Sequence, residues 1–420
     1  MRRRTWIQGG LAGAVWSLSP GWAVRALGAT GPLQLPLQFP RDHGAHPALR
    51  TEWWYATGEL RTAESQTLGF QITFFRSRVG DAPSPLPNAL PDAVAGRPPR
   101  RFEPRQLLFA HGALTDMAAQ RQWHAERLAR WNGDPAARPA YARLDDTGVA
   151  IGPWALQRSP YGQLHPGGGR YHAVLEDTEF GFDLLLDTTQ PLLLQGDAGY
   201  SRKGPQWEQA SCYYTQPQLA VSGTVWRGAA QRAQRTAVTG IAWLDHEWSE
   251  SLMHPDAVGW DWVGMNLDDG GALTAFQLRR ADGSAVWAGG SWRAAGARDA
   301  RAFGPDEVVF TPLEHWTSPG SGARYPVRWQ VDTPVGRYVV QARMNAQELD
   351  SRRSTGTIYW EGLSDLLRGE NTAGAAVSGA VSGAVSGAVS GATSGATSGT
   401  GARVGRGYLE MTGYAGRLRL

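Results

Sequence analysis

The chain has 420 residues, a formal net charge of +3 and 19% charged residues. That length admits two domains. The positive charge is almost all arginine, spread without basic runs, which argues against a nucleic-acid surface. A single cysteine, Cys212, excludes an internal disulfide, and nineteen tryptophans imply a broad apolar interior whose indole N–H groups need partners.

At the N-terminus, Arg2, Arg3 and Arg4 precede Thr5-Trp6-Ile7-Gln8 and a mildly apolar stretch from Gly9 to Leu18. The pattern resembles a twin-arginine export signal. Cleavage after Ala26 or Ala29 fits small-residue preferences, so residues 1–29 are expected to be a signal peptide and the mature protein periplasmic or secreted. The apolar run is shorter than the roughly 20 residues that span a bilayer, and no later segment qualifies.

Strand signals dominate the rest of the chain. Trp53 to Leu60 and Thr67 to Phe75 are β-rich runs split by a polar turn. Further runs cover Leu107 to Leu114, Gly181 to Leu186, Leu219 to Trp226, Ala272 to Leu278, Val327 to Val331, Tyr338 to Ala342 and Thr355 to Trp360. Asn132-Gly133, Asp269-Gly270 and Asp282-Gly283 are turn signals. Arg121 to Trp131 is expected to form a turn or two of amphipathic helix. Trp54, Leu60 and Gln71 find counterparts in Trp262, Leu267 and Gln277, each set running from a Trp-rich strand to a Phe-Gln pair. This repeat predicts an all-β protein of two related antiparallel domains, residues 30–220 and 221–420, as barrels or sandwiches. Asp81 to Pro104 is proline-rich and expected to be a loop. Residues 373–402 hold tandem Ser-Gly-Ala units, expected to be a disordered insertion in a terminal hairpin between Tyr359-Trp360-Glu361-Gly362 and Tyr408-Leu409-Glu410-Met411.

No G-x-S-x-G elbow, H-E-x-x-H motif or phosphate-binding G-x-x-x-x-G-K is present. His246, His254 and Glu250 match no ligand spacing, so neither a metal nor a cofactor is expected. The chemistry concentrates in Asp245-His246-Glu247-Trp248-Ser249 and Gly259-Trp260-Asp261-Trp262. Strand alternation sends His246 and Trp248 to one face and Asp245 and Glu247 to the other. If the His246 face lines a cavity, imidazole and indole converge on a ligand; otherwise His246 is a satisfied structural residue. Asp261 between two indoles is a candidate acid with a raised pKa. Glu52-Trp53-Trp54-Tyr55 either lines a ligand cavity or closes a barrel. His43 and His46 are expected in a surface loop, and His111 is either a second His246-like group or a buried structural histidine.

The stretch Asp42-His43-Gly44-Ala45-His46-(x5)-Glu52-Trp53-Trp54-Tyr55-Ala56-Thr57-Gly58, together with the two motifs above, resembles the AttH / carotenoid 1,2-hydratase family. The resemblance implies two lipocalin-like domains in tandem and water addition to a C=C bond of an apolar isoprenoid or lipid. In that family a His-x-Trp motif carries activity, here His246-Glu247-Trp248, aided by a downstream tyrosine and aspartate. This sequence offers Asp261 but no tyrosine nearby. The implied catalytic set is His246, Trp248 and Asp261, with Trp53, Trp54, Tyr55, His111, Trp260 and Trp262 around the substrate. Two alternatives accompany it: a periplasmic lipid carrier working with an ABC exporter, without catalysis, and a secreted hydrolase.

Overall fold

The structure, a computed structural model, describes residues 33, 35–79, 106–160, 167–228, 234–250, 253–369 and 401–418. The expected signal peptide, the proline-rich loop and nearly all of the Ser-Gly-Ala insertion lie outside them. Among the described residues the chain is β-structure with one short 3-10 turn, Arg41–His43, and no α-helix.

The first sheet opens with β1 (Thr51–Thr62), β2 (Thr67–Arg78), β3 (Gln106–Asp116) and β4 (Arg121–Trp131). Short strands follow: β5 (Ala140–Ala142), β6 (Gly148–Ile151), β7 (Trp154–Ser159), β8 (Arg170–Glu176) and β9 (Phe180–Asp187). It finishes with β10 (Leu193–Leu194), β11 (Tyr200–Arg202), β12 (Ala210–Arg227) and β13 (Thr236–Ser249). The second sheet begins with β14 (Gly259–Leu267), β15 (Ala272–Arg279), β16 (Ala285–Arg293), β17 (Arg301–Phe303) and β18 (Val309–Thr317). β19 (Arg324–Thr333), β20 (Gly336–Ala342), β21 (Glu348–Ser351), β22 (Thr357–Arg368) and β23 (Arg403–Met411) complete it.

Both sheets are antiparallel and wound alike. The first runs β4-β3-β2-β1-β13-β12-β9-β8-β7-β6-β5 and the second β17-β16-β15-β14-β23-β22-β20-β19-β18. In each, a four-strand meander is followed by return of the sheet's last strand to the side of its first. The hairpins matched in sequence, β1–β2 and β14–β15, open the two sheets in the same order, but Trp54 faces the barrel core and Trp262 the gap between the sheets, so the residue-by-residue match is not kept. The first sheet curls until β4 touches β5 and β6, giving a nearly closed barrel filled by Trp54, Phe70, Phe74, Trp154 and Phe182. The second is a half-barrel around Val263, Met265, Trp329 and Trp360. The fold is all-β and lipocalin-like, as expected.

Two expectations are corrected. The boundary at 220/221 falls inside β12, and both β12 and β13 belong to the first sheet. Closing the first barrel needs late strands to return to β1, so the change of sheet comes between Ser249 and Gly259. Arg121 to Trp131 is strand β4, not helix. Trp123, Ala125 and Ala129 recur at period two against the barrel core, and full pairing with β3 outweighs the helical spacing of its charges.

The halves are joined by polar contacts as well as by packing. Arg343 and Arg406 from the second sheet bond Glu59 of β1, at 2.5 and 2.8 Å. A bulge after Gln216 leaves Gln218 at φ 56°, from where its side-chain amide donates to the carbonyls of Leu267 and Gly271. Bulges re-aim a residue in this way.

Trp54 is 1% exposed in the barrel core, whereas its neighbour Trp53 faces the other way and is only partly buried. Trp54→Ala should lower unfolding stability in urea by about 3–5 kcal/mol, and Trp53→Ala by less than half of that. Equal losses at the two positions would contradict the assigned faces.

Candidate active site between the two sheets

β1 and β13 pair in a register that sets Glu52 opposite Trp248, Trp54 opposite His246 and Tyr55 opposite Asp245. Opposed residues share a face and successive residues alternate. One face of the pair therefore carries Glu52, Trp54, His246 and Trp248, and turns into the end of the first barrel. The other carries Trp53, Tyr55, Asp245 and Glu247, and lines a cavity of about 260 Å³ between the sheets.

The cavity walls are largely aromatic. Trp53, Tyr55, Phe75 and Phe109 come from the first sheet, and Trp260, Trp262 and Phe276 from the second. Apolar walls around a few convergent polar groups are the usual make-up of a ligand pocket. Here the polar groups are mostly acids.

β22 and β23 set Glu361 directly opposite Glu410, and both line the cavity. Glu361 is buried, and its Oε1 has no hydrogen-bond partner among the described residues. Glu410 is partly buried. No arginine or lysine of the described residues lies close enough to lower either carboxyl. Burial raises Glu361 well above the carboxylate range, and the charge of Glu410 adds to this. Burial, with the charges of Asp245 and Glu247, pushes Glu410 up to about 7. Two carboxyls face to face, one buried and one partly so, cannot both ionise cheaply, so the pair holds a proton at neutral pH.

Asp245 stands on the opposite wall. It accepts hydrogen bonds from the Tyr213 hydroxyl at 2.9 Å and the Thr215 hydroxyl at 2.5 Å, while the Trp262 indole donates to Tyr213 at 3.2 Å. Burial nevertheless pushes Asp245 up to about 7. Glu247 is neutralised by Lys203 at 3.0 Å, and that ammonium lies 4.2 Å from the Phe276 ring centroid. His111 closes one side: its ring nitrogens meet Tyr359 Oη at 2.9 Å and Ser354 Oγ at 2.8 Å, linking the two sheets. Burial pulls His111 down to about 3, which keeps it neutral.

His246 does not face this cavity. Its ring is fully buried, with Nε2 2.9 Å from Glu52 Oε1 and Nδ1 3.2 Å from the Tyr214 hydroxyl. Trp54 stacks on it at 4.7 Å between centroids. Glu52 also accepts from Arg76 Nε at 2.7 Å and contacts His46 Nδ1 at 2.8 Å. Trp248 stacks on His46 at 3.9 Å. His43 and His46, expected on a surface loop, are packed into this network, because the segment before β1 folds over the barrel end. Asp261 is likewise enclosed, bonded to Gln277, Arg279 and Tyr414 on the inner face of the half-barrel.

Of the residues singled out from sequence, Trp53, Tyr55, His111, Trp260 and Trp262 meet around the cavity. Trp54, His246, Trp248 and Asp261 do not line it, because strand alternation turns each of them to an inner face. The acids that do were missed. Asp245 and Glu247 follow from the same alternation once the cavity is placed on their face. Glu361 and Glu410 carried a signal of their own: Tyr359-Trp360-Glu361 and Tyr408-Leu409-Glu410 repeat a Tyr-x-Glu pattern on either side of the insertion.

Comparison with known proteins agrees with the fold. The family model described as AttH-like matches residues 32–380. An AttH-type protein from Nitrosomonas europaea, solved by crystallography, is 39% identical over 90% of this chain and 97% of its own, with a TM-score of 0.71. Kievitone hydratase from Nectria haematococca shares the fold at 11% identity, covering 91% of this chain and 94% of its own, with a TM-score of 0.61. A search of the curated proteins finds no match. The chain belongs to the AttH-like family.

Proposed function

We propose that the protein adds water to a carbon–carbon double bond of an apolar substrate held between the two sheets. The observation that carries this is the Glu361–Glu410 pair, a proton donor without a cationic partner, set among indole and phenyl faces. Protonation of an alkene needs an acid that keeps its proton near neutral pH, and Glu410 answers that description. The new C–H bond takes the acid's proton and leaves a carbocation. Trp53, Trp260 and Trp262 offer π faces worth up to about 2 kcal/mol to a desolvated cation. Water then forms the C–O bond and yields its proton to Asp245, whose carboxylate is oriented by Tyr213 and Thr215. Net consumption is one water, and solvent returns the proton from Asp245 to the Glu pair. The fold shared with kievitone hydratase supports a hydratase reading, and an isoprenoid or similar lipid suits the aromatic walls. In this scheme His246 and Trp248 shape the wall behind the cavity through Glu52.

Activity is best tested with an isoprenoid alkene series of increasing chain length in heavy-oxygen water, followed by mass spectrometry. Wild type should incorporate one labelled oxygen, at a rate that peaks near pH 7, falling above it as Glu410 loses its proton and below it as Asp245, which must accept one, becomes protonated. Glu410→Gln should lower turnover by about 10²-fold or more with substrate affinity nearly kept. A folded His246→Ala variant should lose less. The reverse ranking, an active Glu410→Gln beside a dead but folded His246→Ala, would move the chemistry back to the enclosed face.

The same proton sets a pH dependence of stability. The folded-state pKa of Glu410 lies above its ordinary value of 4.5, so the folded protein binds more protons than the unfolded chain between 4.5 and about 7. Stability is lost as pH rises through that window, and the loss is complete above it. Glu410→Gln removes the ionisation, and its stability relative to wild type should improve between pH 5 and pH 8 by on the order of 2 kcal/mol. A difference that does not change with pH would mean that Glu410 ionises normally.

A further inference from the structure

The enclosed network at the barrel end has an arrangement that the cavity chemistry does not use. His46, His246 and Glu52 each offer a ligand atom, and these atoms lie within 4.8 Å of one another. Both imidazoles aim at the same carboxylate oxygen, at 2.8 and 2.9 Å. The outward atom of each group is held from behind. His46 Nε2 meets Asp42 Oδ1 at 3.3 Å, His246 Nδ1 meets the Tyr214 hydroxyl at 3.2 Å, and Glu52 Oε2 accepts from Arg76 Nε at 2.7 Å. Tyr214 is in turn fixed by His43 Nδ1 at 2.7 Å. Metal-binding histidines characteristically show this pattern, one nitrogen on the ion and the other donating to a carboxylate or other oxygen, and ligating carboxylates are hydrogen-bonded in the same way.

With a cation at the centre, His46 and His246 each present a lone pair inward and keep one N–H for Asp42 and Tyr214. We propose that His46, Glu52 and His246 bind one divalent cation of the zinc class. Zinc bonds to nitrogen and carboxylate oxygen of about 2.0–2.2 Å place tetrahedral donors about 3.3 Å apart. The two nitrogen–oxygen distances therefore need to open by only a few tenths of an ångström. No further His, Cys, Asp or Glu of the described residues joins the group, which leaves the fourth position to water.

Such an ion would clamp the segment before β1, which carries His46, onto β1 and β13. Trp54 and Trp248, stacked on the two imidazoles, would supply its apolar shell. Glu52 borders the cavity as well, but His46 and His246 do not, and none of the three gives or takes a proton in the hydration scheme, so the proposal is independent of that reading.

The test uses the tag-free full-length chain, stripped with a chelator, reloaded with ZnCl₂ or CoCl₂ and desalted. Wild type should retain close to one ion per chain by mass spectrometric metal analysis, show the visible absorption of four-coordinate Co²⁺, and melt at higher temperature when loaded. His46→Gln, on the covering segment and therefore the variant that best preserves the barrel, should bind at least about 100-fold more weakly. Asp42→Asn, which touches only the far side of His46, should weaken binding roughly 10-fold. Glu410→Gln should bind like wild type. Failure of wild type to retain either metal, or equal retention by His46→Gln, would overturn the proposal.

Discussion

The pairing of β1 with β13 is the constraint on which the rest depends. It closes the first barrel, and by strand alternation it divides one short stretch of sequence between two environments. Trp54, His246 and Trp248 go to the end of the barrel. Trp53, Tyr55, Asp245 and Glu247 go to the gap between the sheets. A slip of one residue in this register would exchange the two sets and place unpaired acids in a closed apolar core. Twelve opposed residue pairs along β1 make such a slip costly.

The two environments differ in how they treat charge. On the inner faces each buried carboxylate has a guanidinium: Glu52 with Arg76 in the barrel and Asp261 with Arg279 in the half-barrel. Such pairs offset much of the desolvation of their members, and removal of one partner strands the other. Glu52 reaches the edge of the cavity together with its Arg76, but among the acids on the facing walls of the described residues only Glu247 has a cation, Lys203. Asp245, Glu361 and Glu410 are left to neutral donors or to one another, and their pKa values rise accordingly. Buried acids without counter-charge are destabilising in their ionised form, and their concentration on the walls of one aromatic cavity is the reason the proposed chemistry is placed there.

Much of the architecture was legible in the sequence. Period-two runs and Asp-Gly turns gave the strands, and the recurrence of Trp-rich hairpins pointed to two sheets, which open on β1–β2 and β14–β15, although Trp54 and Trp262 face different environments. The unit boundary was not legible, since nothing local in β12 or β13 says that they return to β1. β4 was misread because Trp123, Arg127 and Trp131 satisfy a helical spacing as well as a strand spacing. At the site, alternation correctly separated His246 from Asp245, but sequence alone does not say which face meets a cavity; that is decided by the second sheet. Glu361 and Glu410 lie on either side of a long insertion, and only their ladder register brings them together.

The most direct test of the account is an NMR titration of the side-chain carboxyls in isotope-labelled protein, with Glu361 and Glu410 assigned through their glutamine variants. The account predicts a coupled pair, one step near pH 7 and the other well above the ordinary carboxylate range, each simplified when its partner is replaced. Independent titration of both groups near 4.5 would show them solvated or paired, and would remove the acid on which the proposed chemistry rests.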